Sequence, residues 1–265
     1  MTTVDTPTSV FEADGNLMVP TQAARGPWDP ETLHGAAVAA LLAGSLDVED
    51  QATVRTLVEL LGPVPFAPVS IQRGPTDGGR RVKRQSAILC ADGRPVARAS
   101  VTRIRLSQMT LPDGATDHPV TFDPATTPDL TTPNAHAAGV VGWPSFDSLA
   151  MATRWERSGP SGPQKLWLRL LLPIVAGQVT SGGQRAVAAA DYGTSGTSAR
   201  LPFARWSFMN ADLTVSLSRP PVGEWIGMET DGIIQPTGTG LSIGQIYDQA
   251  GRLGQSAQSL LIEPR

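Results

Sequence analysis

The amino-acid sequence predicts an α+β fold made of two tandem units, each a buried helix followed by an antiparallel sheet. Three observations support this prediction. An alanine- and leucine-rich segment near the N-terminus is apolar on nearly every side, as in a helix that is buried all round. Runs with strand-like patterning, separated by turn residues, follow it. The same order of elements recurs in the second half of the chain.

The helix of the first unit is predicted to start at Asp29-Pro30-Glu31, because an aspartate before a proline and an acid is typical of a helix N-terminus. The segment ETLHGAAVAALLAG (31–44) continues it, and Gly44 is expected just beyond its end. Since the segment has no polar stripe, we expect this helix at the centre of its unit.

Strands are predicted after each helix. In the first unit they are Val54–Leu61, Pro68–Gly74, Arg80–Cys90 and Pro95–Leu106. The sequence ADGRP (91–95) joins the last two, and its Asp-Gly is a strong hairpin signal. The second unit has apolar runs at Trp167–Val175 and Ala186–Ala190, then predicted strands at Ala211–Ser218, Glu224–Ile234, Gly240–Gln249 and Gln255–Ile262.

The two halves of the chain can be aligned at a nearly constant displacement. ILCADGRPVARAS (88–100) matches IYDQAGRLGQSAQ (246–258) at an offset of 158, and TLVELLGP (56–63) matches LTVSLSRP (213–220) at 157. A shift of 157 also takes His34 onto Asp191. We therefore predict a tandem duplication with an N-terminal unit at 10–106, a linker rich in Pro, Thr, Asp and Gly at 107–163, and a C-terminal unit at 164–265.

Composition narrows the functional class. The balance of 21 Lys+Arg against 24 Asp+Glu gives a net charge of -3 and argues against a nucleic-acid partner. One cysteine, Cys90, and three histidines allow no internal disulfide and offer little for a transition metal, so no metal site or cofactor is expected. The sequence contains no apolar run of about 20 residues and no secretory signal, so we expect a cytoplasmic protein without a membrane span.

A central apolar helix wrapped by a curved antiparallel sheet is the hotdog arrangement, and two copies in one chain make a double hotdog. Five segments carry a more specific likeness: LHGAAVAALL (33–42), ADGRPVARASVTR (91–103), AADYGTSG (189–196), NADLTVSLSRPPVGEWIGMET (210–230) and YDQAGRLGQSAQSLLIEP (247–264). Through them the chain resembles the double-hotdog acyl-CoA thioesterase family, of the bacterial acyl-CoA thioesterase II type and its actinobacterial relatives.

This resemblance implies hydrolysis of an acyl-CoA to a fatty acid and CoA by an activated water molecule. It also implies that an Asp, a Thr or similar polar residue, and a Gln surround that water. By position these roles are expected at Asp191, Asn210 and Gln258. Asn210 stands where the best-known pattern has Thr, and its amide can both donate and accept a hydrogen bond.

Substrate contacts are expected at the two helix starts, although His34-Gly35-Ala36 replaces a more Gly-rich turn of the family at the first of them. Asp191 is expected at the start of the second helix, so that backbone N–H groups near Tyr192 and Gly193 can stabilise an oxyanion. His34 and Gly35 are expected at the start of the first helix. A buried neutral imidazole there can polarise a carbonyl group or transfer a proton, although a structural histidine is the simpler interpretation.

Other functions stay open at this point. A hotdog enoyl-CoA hydratase or dehydratase would need a histidine and an acid in one site, and His34 with Asp29 or Asp191 could supply them. A non-catalytic acyl-CoA-binding protein is compatible with Asn210 and with the Gly- and Ser-rich second helix. A serine hydrolase is not favoured, because the sequence has no Gly-x-Ser-x-Gly motif.

Two surface properties also follow from the sequence. The segment GGRRVKRQ (78–85) gathers four cations, which indicates either a solvated strand edge or a docking site for the phosphates of CoA. Because open sheet edges tend to be buried by pairing, a homodimer or larger homo-oligomer is expected.

Overall fold

The structure is a computed structural model that describes residues 6–48, 51–115, 129–131, 141–156 and 162–265. In the first half these form α1 (Gly35–Ser45), a 3-10 helix (Gln22–Ala24), and the strands β1 (Phe11–Asp14), β2 (Leu17–Pro20), β3 (Gln51–Leu60), β4 (Val69–Gly78), β5 (Val82–Ala91) and β6 (Arg94–Arg105).

The second half contains α2 (Phe146–Leu149), α3 (Gly182–Ala190), a 3-10 helix (Asp191–Thr194) and α4 (Ser195–Ser198). Its strands are β7 (Asp129–Thr131), β8 (Met151–Glu156), β9 (Gln164–Leu170), β10 (Trp206–Asn210), β11 (Asp212–Leu217), β12 (Ile226–Ile234), β13 (Thr239–Asp248) and β14 (Gly251–Pro264). Helix α2 and strand β8 lie in the segment predicted as a linker, most of whose earlier part lies outside the described residues.

All described strands belong to one antiparallel sheet. Its order is β1-β2-β4-β5-β6-β3-β11-β14-β13-β12-β9-β8-β7, and β10 also pairs with β14. The halves meet where β3 pairs with β11, with Thr56 opposite Val215. Helices α1 and α3 pack against each other under this sheet, and their buried residues are the centre of one continuous core. This is the predicted double hotdog.

The predicted repeat holds in the strands. Strands that begin at Val69, Val82 and Arg94 have counterparts that begin at Ile226, Thr239 and Gly251, each displaced by the expected 157 residues. The helices do not follow this displacement, because α3 begins at Gly182 and ends just before Asp191. Asp191 therefore lies at the end of the second helix, and the prediction that it starts that helix was wrong.

The start of α1 also differs from the prediction. Asp29 accepts a hydrogen bond from the Glu31 N–H at 2.8 Å within a turn, and the helix begins only at Gly35. The residue that caps it is His34. An Asx-type turn and a helix N-cap use the same local hydrogen bond, so the sequence pattern does not distinguish them.

Gly44 lies inside α1 and not beyond its end. A Cβ atom at this position would overlap the side-chain amide of Gln184 on α3. That amide donates to the Ala40 carbonyl oxygen at 3.2 Å, so Gly44 allows the two central helices to approach closely. The contacts at their ends show that the two helices run in opposite directions: His34 meets Asp191 at one end, and Asp47 meets Ser181 at the other.

Candidate active site

His34 occupies the junction between the start of α1 and the end of α3. Its Nδ1 accepts a hydrogen bond from the Ala36 N–H at 3.0 Å and so caps α1. The same nitrogen lies 3.3 Å from Asp191 Oδ2, while Nε2 lies 3.4 Å from Asp147 Oδ2. His34 is thus a buried imidazole with a carboxylate against each ring nitrogen.

Asp147 comes from α2, whose first turn is closed by a capping box at Ser145. Tyr192 donates a hydrogen bond from its hydroxyl to Asp147 Oδ1 at 2.6 Å, and its ring stacks on His34 with a centroid distance of 6.1 Å. The sequence analysis did not identify Asp147, because it lies in the segment predicted as a linker. The apolar residue Phe146 beside it is fully buried, and it was the sequence feature that could have indicated that this segment packs against the core.

Asp191 is held from three sides. Its Oδ1 accepts a hydrogen bond from Asn210 Nδ2 at 2.7 Å, and its Oδ2 faces His34. A Cβ on Gly35 would lie 3.1 Å and 3.3 Å from the two carboxylate oxygens, so the missing side chain lets the carboxylate reach the N-terminus of α1. That end of the helix carries the positive end of its dipole and favours a negative charge.

Gln258 reaches the same region from β14. Its Nε2 donates to the carbonyl oxygens of Ala190 and Asp191, each at 3.1 Å. Its Oε1 is buried without a hydrogen-bond partner among the described residues, as is the Oγ of Ser242 on the neighbouring strand. A Cβ on Gly193 would lie 3.3 Å from that Oε1 and 3.0 Å from that Oγ. A buried acceptor left unpaired is costly, so this position suits a bound donor.

The charges in the site are coupled. Burial by itself lowers the pKa of His34, but Asp147 and then Asp191 outweigh it and raise that pKa to about 10. Burial alone would raise the pKa of Asp147, yet His34 and the Tyr192 hydroxyl hold it below its usual value. Burial and the Asp147 carboxylate raise the pKa of Tyr192, which keeps its hydroxyl a donor. The bond from Ala36 opposes protonation of Nδ1, because a protonated ring nitrogen accepts no hydrogen bond.

This coupling predicts a pH-dependent contribution of His34 to stability. Because its pKa is raised above the unfolded value, that contribution is fully present below about pH 6.5 and is lost as the pH rises through about 10. We expect the free energy of unfolding of the wild type, relative to His34→Asn, to fall by a few kcal/mol over this interval. Asparagine can still cap the helix.

Urea unfolding of both proteins at several pH values measures this difference. Groups that do not interact with His34 titrate alike in both proteins, so their contributions cancel, while the groups coupled to His34 belong to the measured difference. Two stability curves that stay parallel between about pH 6.5 and about pH 10 would contradict the prediction.

The structure brings all seven predicted site residues into one region: His34, Gly35, Asp191, Tyr192, Gly193, Asn210 and Gln258. Two of them have different surroundings from those expected. Tyr192 and Gly193 lie in the 3-10 helix that continues α3, so their N–H groups are not at a helix N-terminus. Tyr192 acts here through its hydroxyl on Asp147, and Gly193 through the space that its missing side chain leaves.

Comparisons with solved structures identify the fold. The structure aligns with a hot dog-fold protein of unknown function from Alicyclobacillus acidocaldarius at a TM-score of 0.72 and 15% identity, covering 97% of this chain and 96% of that one. The TesB protein of Mycobacterium avium subspecies paratuberculosis gives 0.67 and 14%, covering 97% of each chain. The acyl-CoA thioesterase II TesB2 of Mycobacterium marinum gives 0.61 and 12%, covering 96% and 94%. A search of the curated proteins gave no match.

Family models cover most of the chain. The model for the acyl-CoA thioesterase N-terminal domain matches residues 24–104, and the model for the acyl-CoA thioesterase C-terminal domain matches residues 112–262. The first match contains His34 and Gly35, and the second contains Asp147, Asp191, Tyr192, Asn210 and Gln258. Among the described residues no helix is long and apolar enough to cross a bilayer. The chain therefore belongs to the acyl-CoA thioesterase family and is a thioester hydrolase with a double hotdog fold.

Proposed function

We propose that Asp191 acts as the general base that activates a water molecule for attack on the carbonyl carbon of an acyl-CoA thioester. The Asp191 carboxylate takes a proton from that water, and Gln258 Oε1 accepts its second O–H. Asn210 fixes the carboxylate by donating to Oδ1 at 2.7 Å. The observation that carries the proposal is the buried Asp191 carboxylate, which Asn210 orients in the region where Gln258 Oε1 is buried without a hydrogen-bond partner among the described residues.

The attack forms a tetrahedral intermediate whose oxygen carries the negative charge. We infer that the N-terminus of α1, at Gly35, stabilises that charge through the positive end of the helix dipole, because it lies beside the Asp191 carboxylate. When the intermediate collapses, the carbon–sulfur bond breaks and the fatty acid is released. The CoA thiolate then takes the proton that Asp191 had accepted.

His34 has a supporting role in this scheme. Its imidazole lies between Asp147 and Asp191. When the ring is protonated, Nδ1 gives up the hydrogen bond from the Ala36 N–H and the positive charge offsets one of the two buried carboxylates. Asp147 and Tyr192 fix the orientation of the ring beside Asp191.

Release of CoA thiol from a panel of short, long and branched acyl-CoAs tests the activity and identifies the preferred chain. Single-turnover hydrolysis in oxygen-18 water then separates two routes. A general base puts the heavy oxygen directly into the fatty acid, and the protein stays unlabelled. If Asp191 were instead the nucleophile and water attacked the Asp191 carbonyl of the mixed anhydride, the first fatty acid would carry an ordinary oxygen from Asp191 and the label would appear in the protein. Trapping of an acylated Asp191 by rapid acid quench covers attack on the other carbonyl, and either result would contradict the proposal.

A second candidate reaction is hydration of an enoyl-CoA. The pairing of His34 with Asp147 supports it, because that pair could move a proton. Loss of the absorbance of a conjugated thioester, without release of CoA thiol, would identify this reaction and exclude hydrolysis for that substrate.

We also infer that the protein acts in the cytoplasm on acyl-CoAs of lipid metabolism and that its copies self-associate. Self-association is supported by the outer strand β1, which pairs along its length with β2 and has on its other side, among the described residues, only a bridge between Phe11 and Val175. A solution mass equal to one chain, measured by light scattering, would contradict it.

A further inference from the structure

The opposite end of the central helix pair has the same construction as the candidate active site. There, Asp47 lies two residues after the end of α1, while Asp191 directly follows the end of α3. Asp47 Oδ2 accepts a hydrogen bond at 2.5 Å from Ser181, the residue that caps α3. Ser181 thus has the place at this end that His34 has at the other.

The strand that follows each helix supplies the next residue of each set. Thr53 donates to Asp47 Oδ1 at 3.4 Å, as Asn210 donates to Asp191 Oδ1. Thr53 and Asn210 are separated by 157 residues, the displacement that relates the strands of the two halves. The region around Asp47 is therefore the internal counterpart of the candidate active site.

The two ends differ in charge. At the first end, one imidazole is shared between two carboxylates. At the second end, an open cleft of about 480 Å³ has three cations around a single acid. Its lining includes Asp47, the cations Arg73, Lys83 and Arg103, and the side-chain amides of Gln51 and Gln85. Burial raises the pKa of Asp47.

Arg103 is built into the wall of this cleft. It is 2% exposed, and it donates to the Leu46 carbonyl oxygen at 2.5 Å and to Gln85 Oε1 at 3.0 Å. Its Nε–H is buried without a partner among the described residues. Arg73 and Lys83 also line the cleft, and within the described part of the chain neither has an ion-pair partner.

We propose that this cleft binds the phosphate groups of an organic phosphate carrying two or more negative charges. The cations match phosphate oxygens, while the Gln51 and Gln85 amides and the Thr76 hydroxyl can contact a polar remainder. The volume lies within the range of small-molecule sites. Since the 11 residues of α1 separate the cleft from His34 by roughly 16 Å, this site is distinct from the one that holds Asp191.

Calorimetric titration with adenosine 3′,5′-bisphosphate, and separately with inorganic phosphate, tests the proposal without turnover. We expect the wild type to bind, and Arg73→Ala/Lys83→Ala to bind at least tenfold more weakly, because two charge-assisted contacts are removed. The matched control is Arg80→Ala/Arg81→Ala, which removes the same charge from exposed positions between β4 and β5 that do not line the cleft. The Arg80→Ala/Arg81→Ala control and the Asp191→Asn variant should both bind adenosine 3′,5′-bisphosphate with the affinity of the wild type.

Inorganic phosphate that binds as tightly as the nucleotide and competes with it would support the site, with free phosphate as its ligand. Three results would overturn the proposal: no binding by the wild type, equal weakening in both double variants, or loss of binding in Asp191→Asn. Thermal unfolding of each variant checks that it is folded. Arg103 is left intact, because its bond to Leu46 also closes the end of α1.

Discussion

Replacement of Asp191 by asparagine is expected to lower kcat by at least a hundredfold and to change KM little. General-base catalysis contributes about two to four powers of ten to a rate, and an amide cannot accept the proton of the attacking water. Asparagine has the same shape, and its amide oxygen can still accept the hydrogen bond from Asn210. The loss should therefore appear in the chemical step and not in substrate binding.

Steady-state release of CoA thiol measures both constants. Asp14→Asn is the matched control, because Asp14 is an exposed residue of β1 and the same chemical change there should leave kcat as in the wild type. Asp191→Asn with activity within a few-fold of the wild type would remove Asp191 from the role of general base. Equal stability of the two variants in urea would show that any loss is catalytic.

Replacement of Gly196 by alanine is expected to destabilise the protein by roughly 1–3 kcal/mol. Gly196 lies in α4, which packs directly on β12. A Cβ there would lie 2.7 Å and 2.8 Å from backbone atoms of Asp231 and 2.8 Å from the Gly232 nitrogen. These atoms belong to a paired strand, so they cannot move independently. Alanine in a helix gains at most about 1 kcal/mol over glycine, which is less than the cost of this overlap.

Urea unfolding of Gly196→Ala and Gly79→Ala measures the effect. Gly79 is exposed and a Cβ on it would meet open space, so the control should change stability by less than about 0.5 kcal/mol. An unchanged midpoint for Gly196→Ala would mean that α4 can move away from the sheet. The 3-10 helix that begins with Asp191 leads directly into α4. A variant in which α4 is destabilised should therefore also lose activity.

The parts of the fold that depend on local chemistry were predicted from the sequence. The Asp-Gly turn between β5 and β6 is an example: Asp92 has φ +47° and Gly93 has φ +73°, as a tight hairpin of this type requires. The displacement of 157 residues between strands could also be predicted from the sequence, because both units need the same turns at the same places. Alanine and leucine on every side of α1 indicated its central position.

The features that depend on distant contacts were not predictable in the same way. The hydrogen bonds of Asp29 form a turn, and the start of α1 is decided by His34, whose ring is held by residues more than a hundred positions away. Asp147 lies among residues whose composition favours a loop, and it becomes buried only because α2 packs beside His34 and Tyr192. The meeting of Asp191 with Asn210 was expected from family resemblance and not from spacing in the sequence.

The two halves are covalently joined in one chain, and the pairing of β3 with β11 also joins them in one sheet. In a symmetric dimer of separate identical units, every substitution at one end of the central helix pair would be repeated at the other end. Covalent fusion removes that constraint, so His34 can face Asp191 at one end while Ser181 faces Asp47 at the other. Because the two ends need not be identical, an anionic end and a cationic end can bind different ligands within a single molecule.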